Sequence, residues 1–228
     1  MKTENTKGIV LTRINYSESD RIITVLTDKF GKLRLMVRGA RKIKSKMAGG
    51  IELFSTIELS FIPAKAEIGT LVSARLINHY GNIIKDINRV QLGYEILKLI
   101  NKSTEDNSDE AYFDLLGITL SLIDNHEIGS DRIRFWFDAQ LLKIAGHTPN
   151  LITDENNQPL KKGSKYLFDS ERMCFIEAEN GRLGENDIKY MRLLFAEPTN
   201  LSLFNLNRVE TVEAATRPLV EAMFRTYI

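Results

Sequence analysis

One cysteine, Cys174, and one tryptophan, Trp136, are all that the 228 residues hold of those types. A single cysteine excludes a disulfide framework within the chain and any zinc site built on paired cysteines. No apolar run approaches the roughly 18–20 residues of a membrane span. The first sixteen residues lack the apolar h-region and small-residue cleavage site of a signal peptide. There is no G-x-x-x-x-G-K-[ST], no G-x-S-x-G and no H-E-x-x-H, so the common nucleotide, nucleophile and zinc-protease signatures are missing. Glu18 and Asp20 are the nearest approach to a Mg²⁺ pair. Without further convergent carboxylates, and with Arg21 adjacent, they read as a turn and a local ion pair. The expectation is a soluble, cytoplasmic, non-enzymatic protein with no cofactor and no metal.

What is present is an ordinary globular composition, 43% apolar and 27% charged, long enough for one large domain or two small ones. The net charge of +1 conceals an asymmetry. Residues 1–80 hold 14 basic and 7 acidic side chains, whereas residues 81–228 hold 17 and 23. A basic half joined to an acidic half points to a polyanion as partner of the first.

The hydrophobic period changes between the halves. Gly8–Asn15, Arg21–Thr27, Lys32–Arg38, Ser55–Ile62 and Ile68–Ile77 are short β-type runs rich in Ile, Val, Leu and Thr. Alternation puts Leu33, Leu35 and Val37 on one face of the third run and Ile57, Leu59 and Phe61 on one face of the fourth. Five strands with one longer connection, residues 39–54, match a small OB-type barrel. From about Asp86 the period is helical. Asp86–Lys102 places Ile87, Val90, Tyr94, Leu97 and Ile100 on one stripe. Glu110–Asp124 is apolar nearly all round and predicts a buried central helix. Asp131–Ala145 follows Ser130 as N-cap and stops at Gly146. Glu185–Ala196 and Val209–Tyr227 are helical again, the last kinked or interrupted near Pro218. Residues 147–183 are irregular, with a short hairpin around Tyr166–Ile176. The fold class is therefore α+β: an N-terminal five-stranded OB-fold barrel over 1–80, then an α-helical domain over 81–228.

The strongest chemical feature is a basic run without one acid: Lys29, Lys32, Arg34, Arg38, Arg41, Lys42, Lys44 and Lys46. Lys32, Arg34 and Arg38 share a strand face, and Arg41, Lys42, Lys44 and Lys46 continue it along the following loop. Such a stripe can track a phosphate backbone, because clustered like charges repel unless an anion neutralises them. Tyr16, Phe30 and Phe54 lie at turns nearby and can offer faces to unpaired bases; the alternative is that they plug the barrel ends. Candidate DNA-binding residues are therefore Lys32, Arg34, Arg38, Arg41, Lys42, Lys44 and Lys46, with Tyr16 and Phe30 for base stacking.

The same residues carry a family resemblance. Gly8-Ile9-Val10-Leu11, Tyr16-Ser17-Glu18-Ser19-Asp20-Arg21, Leu26-Thr27, Gly31-Lys32, Arg38-Gly39-Ala40-Arg41-Lys42 and Ser45-Lys46 resemble the N-terminal OB domain of the RecO family of DNA repair proteins. Leu141-Leu142 with Gly146-His147-Thr148-Pro149-Asn150-Leu151 resembles a helix end of that family, with His147 standing where an aromatic is usual. The resemblance implies a recombination mediator that binds single- and double-stranded DNA, anneals complementary strands and works with RecR. It also implies help in loading RecA onto DNA coated by single-strand-binding protein, whose acidic C-terminal tail docks on the helical domain. Arg132, Arg134, Arg208, Arg217 and Arg225 are the basic residues near apolar helices that could rim such a pocket. Localisation would be cytoplasmic and nucleoid-associated. One departure is clear. Many members carry two cysteine pairs after the Pro-x-Leu match, where this chain reads Ile152-Thr153-Asp154-Glu155-Asn156-Asn157-Gln158-Pro159. Cys174, His79, His126 and His147 show no metal-site spacing, so the insert at 147–183 is expected to hold itself by packing and hydrogen bonds. Two other readings stay open: an OB-type RNA-binding module with a helical dimerisation domain, and an interaction scaffold without nucleic acid.

Overall fold

A computed structural model describes residues 2–42, 47–64, 67–104 and 110–228. Packing divides the chain into two compact units, Met1–Ser130 and Asp131–Ile228. The hydrophobic period changes near residue 80, but the first two helices pack with the barrel.

Five strands, β1 (Glu4–Asn15), β2 (Arg21–Thr27), β3 (Lys32–Val37), β4 (Ser55–Ile62) and β5 (Gly69–His79), close into a barrel in the order β1-β2-β3-β5-β4. The long β1 makes closure possible by pairing with β2 through Gly8–Asn15 and with β4 through Glu4–Ile9. A short parallel contact, Leu35↔Gly69 and Met36↔Thr70, joins β3 to β5. This is the five-stranded architecture of an OB-fold. The alternating residues fill the interior as expected: Val10, Ile23, Val25, Leu35, Val37, Ile57, Leu59 and Phe61 form one buried cluster. Gly8 lies where β1 crosses that interior, and a Cβ there would stand 2.4 Å from Val25 Cγ1.

The outer face of β1 and β2 is also buried. Ile9, Leu11, Ile22 and Leu26 have little or no exposure, yet alternation points them away from the interior cluster. Helices α1 (Ile87–Ser103) and α2 (Glu110–Asp124) pack on this wall. Asp86 caps α1, its carboxylate accepting from the Asn88 and Arg89 amides. Arg89 is buried and donates to the carbonyls of Ile123 (2.5 Å), Asn125 (3.0 Å) and Ile128 (2.7 Å), at and beyond the C-terminal end of α2. The guanidinium answers carbonyls that the helix end leaves unpaired and suits the negative end of its dipole.

The buried stripe of α1 differs from the expected one. It runs through Arg89, Leu92, Gly93, Ile96, Leu97 and Ile100, while Ile87 is 77% exposed and Tyr94 52% exposed. The helix is turned so that Gly93 receives the ring of Phe54, where a Cβ would approach Cε1 to 2.7 Å. Phe54 is therefore buried in the seam between barrel and helix, with a φ of 55°, and offers no face to a base.

In the second unit, α3 (Ser130–Ile144) is the helix buried on nearly every side, with Ile133 and every residue from Phe135 to Leu142 enclosed. This corrects the assignment of that role to α2, which leaves Asp114 and Ser121 exposed. Its neighbours explain the difference. Tyr190 of α4 (Glu185–Leu194) stacks on Phe135, and Phe204 meets Trp136 edge-on. Gln140 donates to the Leu194 and Ala196 carbonyls. A Schellman turn ends α3, with Gly146 at φ 86° and the His147 amide on the Leu142 carbonyl. The insert forms the expected hairpin, β6 (Tyr166–Asp169) with β7 (Cys174–Glu177). Its turn is tied by buried Asp154, whose carboxylate accepts from the Asn156 and Gln158 amides. Arg192 donates twice to the Leu151 carbonyl, and burial pushes the Cys174 thiol up. The last helix, α5 (Glu210–Tyr227), runs as one element through Pro218, which corrects the expected interruption.

Arg89→Met keeps the aliphatic stem but leaves three carbonyls without their charged donor. Its expected cost is about 3 kcal/mol, read as a lower urea midpoint at unchanged m-value; an unchanged midpoint would show that water replaces the guanidinium.

Candidate nucleic-acid interface

The basic stripe begins on β3, whose outward residues are Lys32, Arg34, Met36 and then Arg38 beyond the strand end, alternating with buried Leu35 and Val37. The structure divides these cations between two ends of the barrel, roughly 20 Å apart at about 3.3 Å per residue.

At the first end Lys32 is engaged by the fold. Its ammonium donates to the Asn101 carbonyl at 2.9 Å and to the Thr104 carbonyl, capping the C-terminus of α1. Phe30 sits in the β2–β3 turn beside it. Its ring meets Phe61 edge-on at 5.3 Å and packs against the barrel core, so it plugs the barrel end. Arg34 is exposed, with Glu67 at 3.7 Å. Together with Lys29 these residues line an open cleft of about 540 Å³, closed on its far side by Pro63, Ala64 and Gly69.

At the second end two loops are locked together. Gly39 turns the chain after β3 with φ 67°, and its amide donates to Asp20 in the β1–β2 loop at 2.8 Å. That bond, the Ser19 hydroxyl and the Arg38 charge hold the Asp20 carboxyl below its ordinary value. Arg41 adds a second tie, its backbone amide to the Ser19 carbonyl at 2.9 Å and its guanidinium to the Ser17 carbonyl at 2.7 Å. Arg38, Arg41 and Lys42 are left exposed beside Tyr16, which is 64% exposed. Asp20 thus acts as a loop clamp, in keeping with its reading as turn chemistry. Lys44 and Lys46 lie outside the described residues.

Tyr16 and Phe30 therefore stand at opposite ends of β2 and cannot serve one base. The outward face of β2 is closed as well, since α1 and α2 cover the wall carrying Ile22 and Leu26. An OB-fold commonly presents strands 2 and 3 with the adjoining loops to an oligonucleotide; here only the β3 side and the loop ends remain open.

In the second unit, Arg132 donates to Glu213 at 2.7 Å, and Arg217 lies over the Phe135 ring at 4.5 Å with Glu213 at 3.7 Å. Glu213 also accepts from Tyr190 at 2.7 Å; burial and that carboxylate push the phenol far above its ordinary value. Arg134 donates to Asp138 at 2.7 Å. Arg208 and Arg225 are exposed. Three of the five expected rim cations are thus engaged with acids of their own unit.

Burial pushes Asp138 up to about 6, against the attraction of Arg134. The unfolded chain has its value near 3.8, so between about pH 4 and 6 the native state holds a proton that the unfolded state has released, and stability falls as pH rises. Asp138→Asn keeps an acceptor for Arg134 and removes this titration. Relative to the parent it should gain roughly 3 kcal/mol across that window, measured by urea unfolding at its two limits; parallel pH profiles would contradict the assignment.

Comparison with known proteins agrees with this geometry. Residues 1–80 match the sequence model of the Recombination protein O N-terminal domain, and residues 84–225 match that of its C-terminal domain. The DNA repair protein RecO of Halalkalibacterium halodurans is 32% identical over 146 residues, 64% of this chain and 57% of that protein. That of Syntrophus aciditrophicus is 32% identical over 169 residues, 73% and 65%. These two alignments span less than two thirds of each relative. That of Listeria welshimeri is 26% identical over 234 positions, 98% of this chain and 88% of the relative. With both domain types matched in order along a barrel followed by helices, the chain belongs to the RecO family of DNA repair proteins.

Proposed function

We propose that this protein is a non-enzymatic recombination mediator that binds single- and double-stranded DNA through the Arg38–Lys42 end of its barrel. The observation that carries the reading is the locked pair of loops, which holds three exposed cations and one exposed tyrosine at a single barrel end. Phosphates would be met by Arg38, Arg41 and Lys42, with Lys44 and Lys46 continuing the same loop. Tyr16 supplies an open ring for an unpaired base. Because the loops are already fixed by Asp20 and Gly39, little further ordering is needed when DNA arrives.

Annealing follows from the same charges. A cationic end that neutralises two phosphate backbones lowers their mutual repulsion. In the cytoplasm the protein would act with RecR to help load RecA onto DNA coated by single-strand-binding protein. The acidic tail of that protein would dock on the second unit, where Arg208 and Arg225 are exposed and Arg217 lies against Phe135.

The test is a triple change, Arg38, Arg41 and Lys42 to Gln. Folding should persist, since exposed substitutions usually move stability by about ±0.5 kcal/mol each. DNA affinity should fall nearly equally for every sequence, because phosphate contacts carry no base information. The slope of log affinity against log salt should flatten by about 2 for single strands, three contacts at about 0.7 each. A folded variant that binds and anneals with the parent's affinity and salt slope would remove the proposal, and equal loss on RNA of the same sequence would favour a general single-strand binder.

A further inference from the structure

The cleft at the opposite barrel end has a feature that a nucleic-acid track does not need. Along its whole length β3 pairs with β2, from Arg21↔Val37 to Leu26↔Lys32. On its other side, among the described residues, the ladder with β5 consists of Leu35↔Gly69 and Met36↔Thr70. Lys32, Leu33 and Arg34 have no registered partner there. Main-chain groups of alternate residues point to opposite sides of a strand, so among these three at least one turns its N–H and C=O away from β2. The cleft of about 540 Å³ opens along this edge, within the ordinary range for a ligand site.

Its chemistry is two-sided. Phe30, Leu33 and Pro63 supply apolar surface, and Lys29 and Arg34 supply exposed cations. The Phe30 ring is turned edge-on into Phe61, which withholds the open face that base stacking needs. Lys32 is held by the end of α1. Arg34 already attracts a carboxylate, that of Glu67, at 3.7 Å in an exposed pair, and such a pair contributes little and exchanges readily with a stronger partner.

We propose that this cleft binds an extended acidic segment of a partner protein, added as a strand to the free edge of β3. Main-chain pairing supplies affinity in strand addition, and alternate side chains supply specificity. The apolar residues of the segment lie over Phe30 and Pro63, and its carboxylates meet Lys29 and Arg34 in place of Glu67. The site is independent of the DNA interface, which lies at the other end of β3.

The probe is a fluorescein-labelled peptide alternating Asp with Ile and Phe, six residues long, titrated by anisotropy against the full chain. Saturable one-to-one binding is expected. Lys29→Glu with Arg34→Glu should weaken it at least tenfold and leave the affinity for a twelve-nucleotide oligo(dT) within twofold. Arg208→Glu with Arg225→Glu should leave the peptide unaffected, which separates this site from any on the second unit. A second measurement needs no variant: methylating alternate backbone nitrogens of the peptide should weaken binding to the parent chain at least tenfold. Absence of saturable binding, equal affinity of the methylated peptide, or a loss of oligo(dT) binding matching the loss of peptide would each overturn the proposal; the last would make the cleft part of the nucleic-acid path.

Discussion

The wall formed by β1 and β2 is apolar on both faces, and much of the first unit follows from that. Val10, Ile23 and Val25 fill the barrel, while Ile9, Ile22 and Leu26 face outward on the same strands. An outward apolar wall cannot stay in water, so α1 and α2 close over it. That covering accounts for the division of the packing after Ser130 instead of at the end of the barrel. It also moves any anion-binding surface away from the middle of the sheet and toward β3 and the loop ends, where the wall becomes basic.

Cations in this chain do two physically different jobs, and sequence position does not separate them. Lys32 and Arg89 answer carbonyls at the ends of α1 and α2, where the helix dipole favours positive charge. Arg132 and Arg217 converge on Glu213 beside an aromatic core. Arg38 and Lys42 are exposed on a locked turn. Removing a cation of the first kind leaves buried carbonyls unpaired and costs stability; removing one of the last kind changes only what the surface attracts. The net charge of +7 over the first 80 residues is thus an upper bound on the charge available to a partner.

Strand positions were legible because alternation reports directly on a wall with an interior, and β2 and β4 have the bounds read from their residues. The stripe of α1 was not, because its buried line contains an arginine and a glycine that no hydrophobic count places inward. α2 and α3 were exchanged as the central helix for a related reason. Composition measures how apolar a helix is, whereas enclosure depends on how many neighbours surround it. The cationic run was legible as a run but not as a surface, since the carbonyls that take Lys32 lie 69 and 72 residues away in the chain. The loop clamp was half visible: Asp20 reads as a turn residue, but its acceptance from Gly39 depends on barrel closure.

The short contact between β3 and β5 is the remaining constraint. Parallel closure needs the chain after β4 to return alongside β3, and two registered pairs achieve it. A longer ladder would have sealed the barrel more fully and removed the cleft together with its free edge. An exposed edge is a liability that proteins blunt with charge, and Lys29, Arg34 and Glu67 stand where such blunting is needed. Those charges discourage pairing with a second copy of the same basic edge, while leaving it open to a strand of opposite sign. The barrel therefore presents two ends of different chemical kind, a locked cationic turn and an unsealed β-edge, held apart by the length of one six-residue strand.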